Sequence, residues 1–355
     1  MATASVRACV DCSSDEEDEE FQVMTEAERA AEAESLRQKA LEEARRAQMA
    51  GHPLGRRKEA LARILDFDPK QRGRYYNRLY FVDHATFDLD DESPLGPMRY
   101  TDRVSKPVEC QFTPSTGLNI FSVKIASSDV GFPIHVYGTV IARDSIDKKC
   151  LYLFRRDRDH CQLINSEDES LILTGPKRGL MLLNDDYVET DLKIKDHGGQ
   201  DRELSKGILT IRGVARRYLD ECKVESESLA TRLSTVDVMY AVVKHAVEGT
   251  IAIEVVEGNF SGEITAHTTS VKNSLVLYNS EVAGGMNDYG TRVIQLVRPV
   301  VSVYVMDMLI IVAKTGDGKS STIRFTPSFN GGEEDFITVG ATKMRVKVTW
   351  SIMDY

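Results

Sequence analysis

The chain has 355 residues, 42% apolar and 28% charged, with a formal net charge of −10. That length allows one large or two medium domains with proper cores, and the ordinary composition argues against a fibrous or wholly disordered protein. The acidic balance disfavours whole-protein attraction to nucleic acid or to an anionic membrane.

Residues 1–23 read as a disordered acidic tail, because Asp15-Glu-Glu-Asp-Glu-Glu20 cannot collapse against its own repulsion. Ser13 and Ser14 precede these acids, a context acid-directed kinases favour. Cys9-Val-Asp-Cys12 is a single C-x-x-C pair without the second pair that zinc needs. Six cysteines in all are too few for a disulfide scaffold. The first residues lack the apolar core of a secretory signal, so the default expectation is a reducing compartment, cytoplasmic or nuclear.

A helical leader is expected over residues 24–68. Met24–Met49 lacks Gly and Pro and carries a Thr25/Glu28 capping box, and a second helix should run from about Arg56 to Leu65. Residues 69–117 read as an irregular connector lying against the domain through Tyr75, Tyr80, Phe81 and Phe87.

From Leu118 the texture changes to period-2 runs about every ten residues, separated by Gly, Asp, Asn and Pro. Met344, Val346, Val348 and Trp350 alternate with Arg345, Lys347 and Thr349. This predicts an all-β fold over 118–355, an antiparallel β-sandwich or barrel, with no βαβ layout. The most apolar stretch, Val300–Ala313, is too short to span a bilayer and carries Asp307. Residues 138–154 align without gaps on 262–278, matching Gly138/Gly262, Ala142/Ala266, Lys148/Lys272, Leu151/Leu275 and Leu153/Leu277. "LKIKDHGG" similarly lies near "IVAKTGDG". Two tandem copies of one β unit, with halves 118–248 and 249–355, would explain the echo, as would the general likeness of strand-turn-strand sequences.

"AKTGDGKS" (313–320) has the loose spelling of a phosphate-binding loop. Such a loop needs a helix behind it, and "SSTIRFTP" alternates like a strand, so the expectation is a tight hairpin turn. Glu26-Ala-Glu-Arg29 and Glu43-Ala-Arg-Arg46 share the Glu-Ala-x-Arg form of ribosome-inactivating N-glycosidases, on a helix where that spelling arises by chance. Asp144, Asp147, Asp157 and Asp159 could line a calcium loop, but Arg143, Lys148, Arg155 and Arg158 would neutralise it. No metal site or cofactor is expected.

Two basic groups remain. Arg155, Arg156 and Arg158, with Lys177 and Arg178, are candidate partner contacts; the simpler reading of the Arg155–His160 run is a self-compensated strand edge. Gly55–Tyr80 carries 8 bases against 3 acids with tyrosines interleaved, making Arg56, Arg57, Lys58, Arg72, Arg74 and Arg78 candidate RNA contacts. A mate for the acidic tail, or a docking segment, is the alternative.

The stretch "SSDVGFPIHVYGTVIARDSIDKKCLYLFRRDRDHCQLINSEDESLILTGPKRGL", with "VEGNFSGEITA" and "VKVTWSIM", resembles the grass-plant family known as domain of unknown function 6598, over about Leu118–Met353. The resemblance implies no activity and no catalytic residues. A similar domain stands beside rRNA N-glycosidase domains in jasmonate-induced grass proteins, which implies a stress or defence setting. The reading is a non-catalytic interaction module with a protein partner. The alternatives are a translation-directed, N-glycosidase-associated factor, or RNA binding through 56–78.

Overall fold

The computed structural model describes residues 26–49, 53–84, 86–102, 115–196, 198–216, 221–282 and 292–354. Ser13, Ser14, Cys9, Cys12 and the Thr25 cap lie outside them. α1 (Glu26–Met49) is the Gly- and Pro-free stretch, and α2 (Pro53–Ile64) opens on a proline, whose fixed φ suits a first helical turn. Arg37 of α1 donates to Arg63 O at 3.3 Å, laying the helices together.

Instead of a helical leader to residue 68 and an irregular connector, the chain makes a hairpin of β1 (Leu65–Asp68) and β2 (Gly73–Tyr76). Turn chemistry explains the difference. The Asp68 carboxylate accepts from Lys70 N at 2.8 Å, and Arg72 takes φ +58°. Tyr75 Oη then donates to Lys206 O at 2.6 Å, fixing the hairpin to the β domain. Residues 77–84 and 86–102 are largely irregular.

The β domain is two sandwiches in tandem, and among the described residues no sheet closes into a barrel. The first has strands β3 (Gly117–Ser128), β4 (Ile134–Arg143), β5 (Leu151–Arg156), β6 (Gln162–Ile164), β7 (Leu180–Met181), β8 (Asp185–Ile194), β9 (Arg202–Arg212), β10 (Lys223–Thr231) and β11 (Ser234–Val243). Its sheets run β10-β11-β3-β7 and β5-β4-β8-β9, with β6 also on β4. Between them lie Ile120, Val123, Val136, Leu151, Leu192, Ile211 and Val236.

The second sandwich has strands β12 (Ala246–Glu257), β13 (Gly262–Thr268), β14 (Leu275–Asn279), β15 (Val293–Ile294), β16 (Val300–Tyr304), β17 (Leu309–Thr315), β18 (Ser320–Phe325), β19 (Gly332–Val339) and β20 (Thr342–Ile352). Its sheets run β15-β12-β20-β19, with β16 on β12, and β14-β13-β17-β18. Met344, Val346, Val348 and Trp350 all point into its core, as their alternation predicts.

The pairings repeat. β12 takes β20 and β16 as β3 takes β11 and β7, and β13 takes β14 and β17 as β4 takes β5 and β8. β15 departs, pairing β12 where β6 pairs β4. The matched glycines of the sequence echo occupy one environment. Gly138 and Gly262 both have positive φ, and a Cβ on either would sit 2.1 or 2.0 Å from the carbonyl oxygen of Asp191 or Lys314. Only glycine tolerates that combination. The sandwiches join between Val243 and Ala246. A division at 248/249 would cut β12.

Met181, Val243, Ala246 and Met353 form a small apolar cluster at the joint. Beside it Asn119 of β3 grips the free edge of β16: its Nδ2 donates to Ser302 O at 2.7 Å, and its Oδ1 accepts from Ser302 N at 2.9 Å.

Candidate functional site

The candidate residues scatter. β5 and β6 lie end to end along one side of β4, and the basic run occupies the break between them. Arg155 is exposed, its guanidinium 4.5 Å from the Tyr152 ring centroid. Arg156 Nη1 donates to His160 O at 3.1 Å, and Arg158 Nε to Asp201 at 2.7 Å. Asp157 holds the His160 ring at 2.8 Å. Lys177 pairs with Glu92 at 2.8 Å on the surface.

Arg178 is elsewhere. Only 1% exposed, it holds Asp144 at 2.6 and 3.0 Å and Asp147 at 3.3 Å, so it offers a partner no surface. The same contacts occupy Asp144 and Asp147, two of the four acids considered for a calcium loop. Among the described residues no group of three His, Cys, Asp or Glu side chains is placed to hold a metal ion.

Of the candidate RNA contacts, Arg56, Arg57 and Lys58 fall on α2, and Arg72 and Arg74 are exposed on the hairpin. Arg78 is used internally by Glu189 at 3.2 Å, Asp90 at 2.8 Å and Leu89 O at 2.8 Å. The phosphate-loop spelling is a turn. Gly318 (φ +86°) donates to Thr315 O at 2.9 Å, Lys319 pairs with Asp317 at 2.8 Å, and Ser320 opens β18 rather than a helix.

Most buried ionisable groups are structural. Arg143 and Glu189 form a two-point pair at 2.7 and 3.0 Å, and Glu189 also accepts from Leu79 N at 2.8 Å. Glu248 of β12 accepts from Met98 N and Gly179 N, both at 2.6 Å, tying the connector and both sandwiches at one carboxylate. Burial pushes its pKa up, against the pull of these two N–H groups.

Among the described buried arginines, one lacks a carboxylate partner. Between the sandwiches lies a cleft of about 470 Å³, within the range of small-molecule sites. β3 and the 170–173 segment form one wall, with Phe121, Leu171 and Leu173; β13, β14 and the segment before β16 form the other. Polar groups come from different strands: Ser122 and Lys124 from β3, Glu263 from β13, Asn279 from β14.

Arg298 also lines the cleft and is only 5% exposed. Val297 N donates to Leu277 O at 2.8 Å and Pro299 O accepts from Ile251 N at 2.7 Å, so the backbone on both sides of it is fixed. Phe121 is an extra residue in β3, since Met239 faces Ser122 while Tyr240 faces Ile120. Arg298 Nη2 donates to Ile120 O, and Nη1 reaches Phe121 O at 3.5 Å. Its Nε has no hydrogen-bond partner, and no charged neighbour among the described residues acts on it. Burial alone lowers its pKa to about 10. The sequence signal for this residue was a lone arginine in the apolar run "VIQLVRPVVSVYV", which strand periodicity absorbs without comment.

The family model for a domain of unknown function (DUF6598) matches residues 117–348. The chain belongs to that family. No curated protein matches it. Among solved structures, the human GIVD cytosolic phospholipase A2 is similar at 8% identity and a TM-score of 0.23, over 68% of this chain and 31% of that one. The chain thus spans about a third of the phospholipase. The C2A and C2B domains of extended-synaptotagmin 2 are similar at 8% identity and a TM-score of 0.24, over 76% of this chain and 98% of that one. The DUF6598 match covers both sandwiches and therefore the whole cleft. Among the described residues no helix is long and apolar enough to cross a membrane.

Proposed function

We propose that the DUF6598 region works by binding rather than by bond-making chemistry, as an interaction module whose recognition site is the cleft between its two sandwiches. The observation that carries this reading is the cleft itself, a mostly apolar hollow into which strands of both sandwiches send a few polar side chains. Several of the basic groups that the sequence marks as partner-facing are held by carboxylates of the same chain, as Arg178 is by Asp144 and Arg158 by Asp201. A stress or defence setting, which the family resemblance implies, fits a sensor or adaptor of this kind.

The neutral fluorophore N-phenyl-1-naphthylamine tests the site. Val276 stands on the cleft rim and is 38% exposed, so V276W fills the opening without entering the core. The full chain is expected to enhance the dye's fluorescence saturably, and V276W to abolish most of the enhancement while leaving the urea midpoint unchanged. Equal dye binding by the two proteins would remove the cleft as the recognition site.

A further inference from the structure

The chemistry of the cleft specifies its ligand more narrowly than its shape does. A guanidinium carries five N–H donors on one charge. In Arg298 these face two neutral backbone carbonyls, one of them at the weak distance of 3.5 Å, and leave Nε unpaired. The carbonyls of the β3 bulge would be satisfied by any neutral donor, so they do not account for a full positive charge held 95% out of water. Burying a charge without a counter-ion is unfavourable, and an arriving anion restores that loss by charge-assisted hydrogen bonds. Every other buried arginine described above has its carboxylate: Arg143 has Glu189, and Arg178 has Asp144.

The surroundings define the rest of the ligand. Phe121, Leu171, Leu173 and Val276 offer an apolar lining, and Lys124 adds a second cation against the single acid Glu263. Resting on the cleft reading above, we infer that the inter-sandwich cleft binds a small amphipathic carboxylic acid, with its carboxylate on Arg298 and its hydrocarbon body along the β3 and β14 walls. The carboxylate's two oxygens match the planar fork of a guanidinium, a pairing that an ammonium group does not reproduce.

Octanoate and 1-octanol share a chain and differ in charge, so their competition for bound N-phenyl-1-naphthylamine isolates the Arg298 contribution. On the full chain, octanoate is expected to displace the dye at a concentration about tenfold or more below that of octanol, the effect of one charge-assisted hydrogen bond. R298M should bring the two competitors level while dye binding persists. K124M, altered at a half-buried position on the rim, should keep most of the preference for octanoate; this variant decides the matter if R298M does not fold. Equal displacement by octanoate and octanol on the unaltered chain overturns the inference and leaves the cleft standing as an apolar site. Loss of the preference in K124M also overturns it, by moving recognition to the rim. Failure of the dye to bind at all removes the cleft reading itself.

Discussion

Asp186 is 2% exposed and has one side-chain partner, Ser145 at 3.0 Å; its Oδ2 has none. Burial first, and then the neighbouring Asp144 carboxylate, raise its pKa well above the usual range, with Lys148 and Arg178 pulling the other way. The sign follows from linkage. A raised folded-state pKa means that the folded protein holds this proton more tightly, so the contribution is present in acid and is lost as pH rises through the folded value. D186N keeps the shape and removes the charge. It should stabilise the protein at pH 8 by about 1 kcal/mol and change it least at pH 4, measured as the difference from the unaltered chain in urea unfolding. A constant difference across that range would show that Asp186 has the same pKa in the folded and unfolded chain. Nothing in "LLNDDYVET" separates Asp186 from Asp185, because which neighbour turns inward is decided by β8 pairing, not by residue type.

At the scale of elements, charge in the sequence and charge on the surface came apart. Strand positions were legible because period-2 alternation is written by the residues themselves, as in β20. The 313–320 turn was equally legible, because a β-branched run following glycines excludes a helix N-terminus. The β1–β2 hairpin was not, since its strands are four residues each and too short to show a period. Nor could spelling distinguish Arg155 from Arg178. The first lies on an exposed edge strand, while the second stands on the loop before β7 and turns inward onto the β4–β5 loop. The two arginines should therefore behave differently on substitution. R178M strands Asp144 as a buried, unpaired carboxylate and should cost about 3–5 kcal/mol. R155M should stay within about 0.5 kcal/mol. Equilibrium urea unfolding of both variants checks this, and comparable small effects would mean that Asp144 is readily reached by water.

At the scale of the molecule, the sequence echo and the repeated pairings describe one β unit used twice, and the cleft exists only because the two copies are held at a fixed separation. The echo is faint because the repeated topology demands the same residue type only where backbone or core requires it, at the glycines 138 and 262 and the buried Leu153 and Leu277, and leaves surface positions free to differ. The cleft was invisible in sequence for a related reason: its lining comes from residues more than 170 positions apart, such as Phe121 and Arg298. Its geometry depends on the joint, where Asn119 satisfies both backbone groups of Ser302 on the free edge of β16. N119A would leave that buried N–H and C=O unpaired, at a cost of about 2–4 kcal/mol. That cost falls on the contact between the sandwiches, because both bonds run from β3 of the first to β16 of the second. The full chain should melt in a single calorimetric transition. N119A should split it in two and weaken dye binding in the cleft even below the first midpoint. A single transition lowered in temperature, with dye binding intact, would place the coupling in the Met181–Met353 cluster and the Glu248 carboxylate instead.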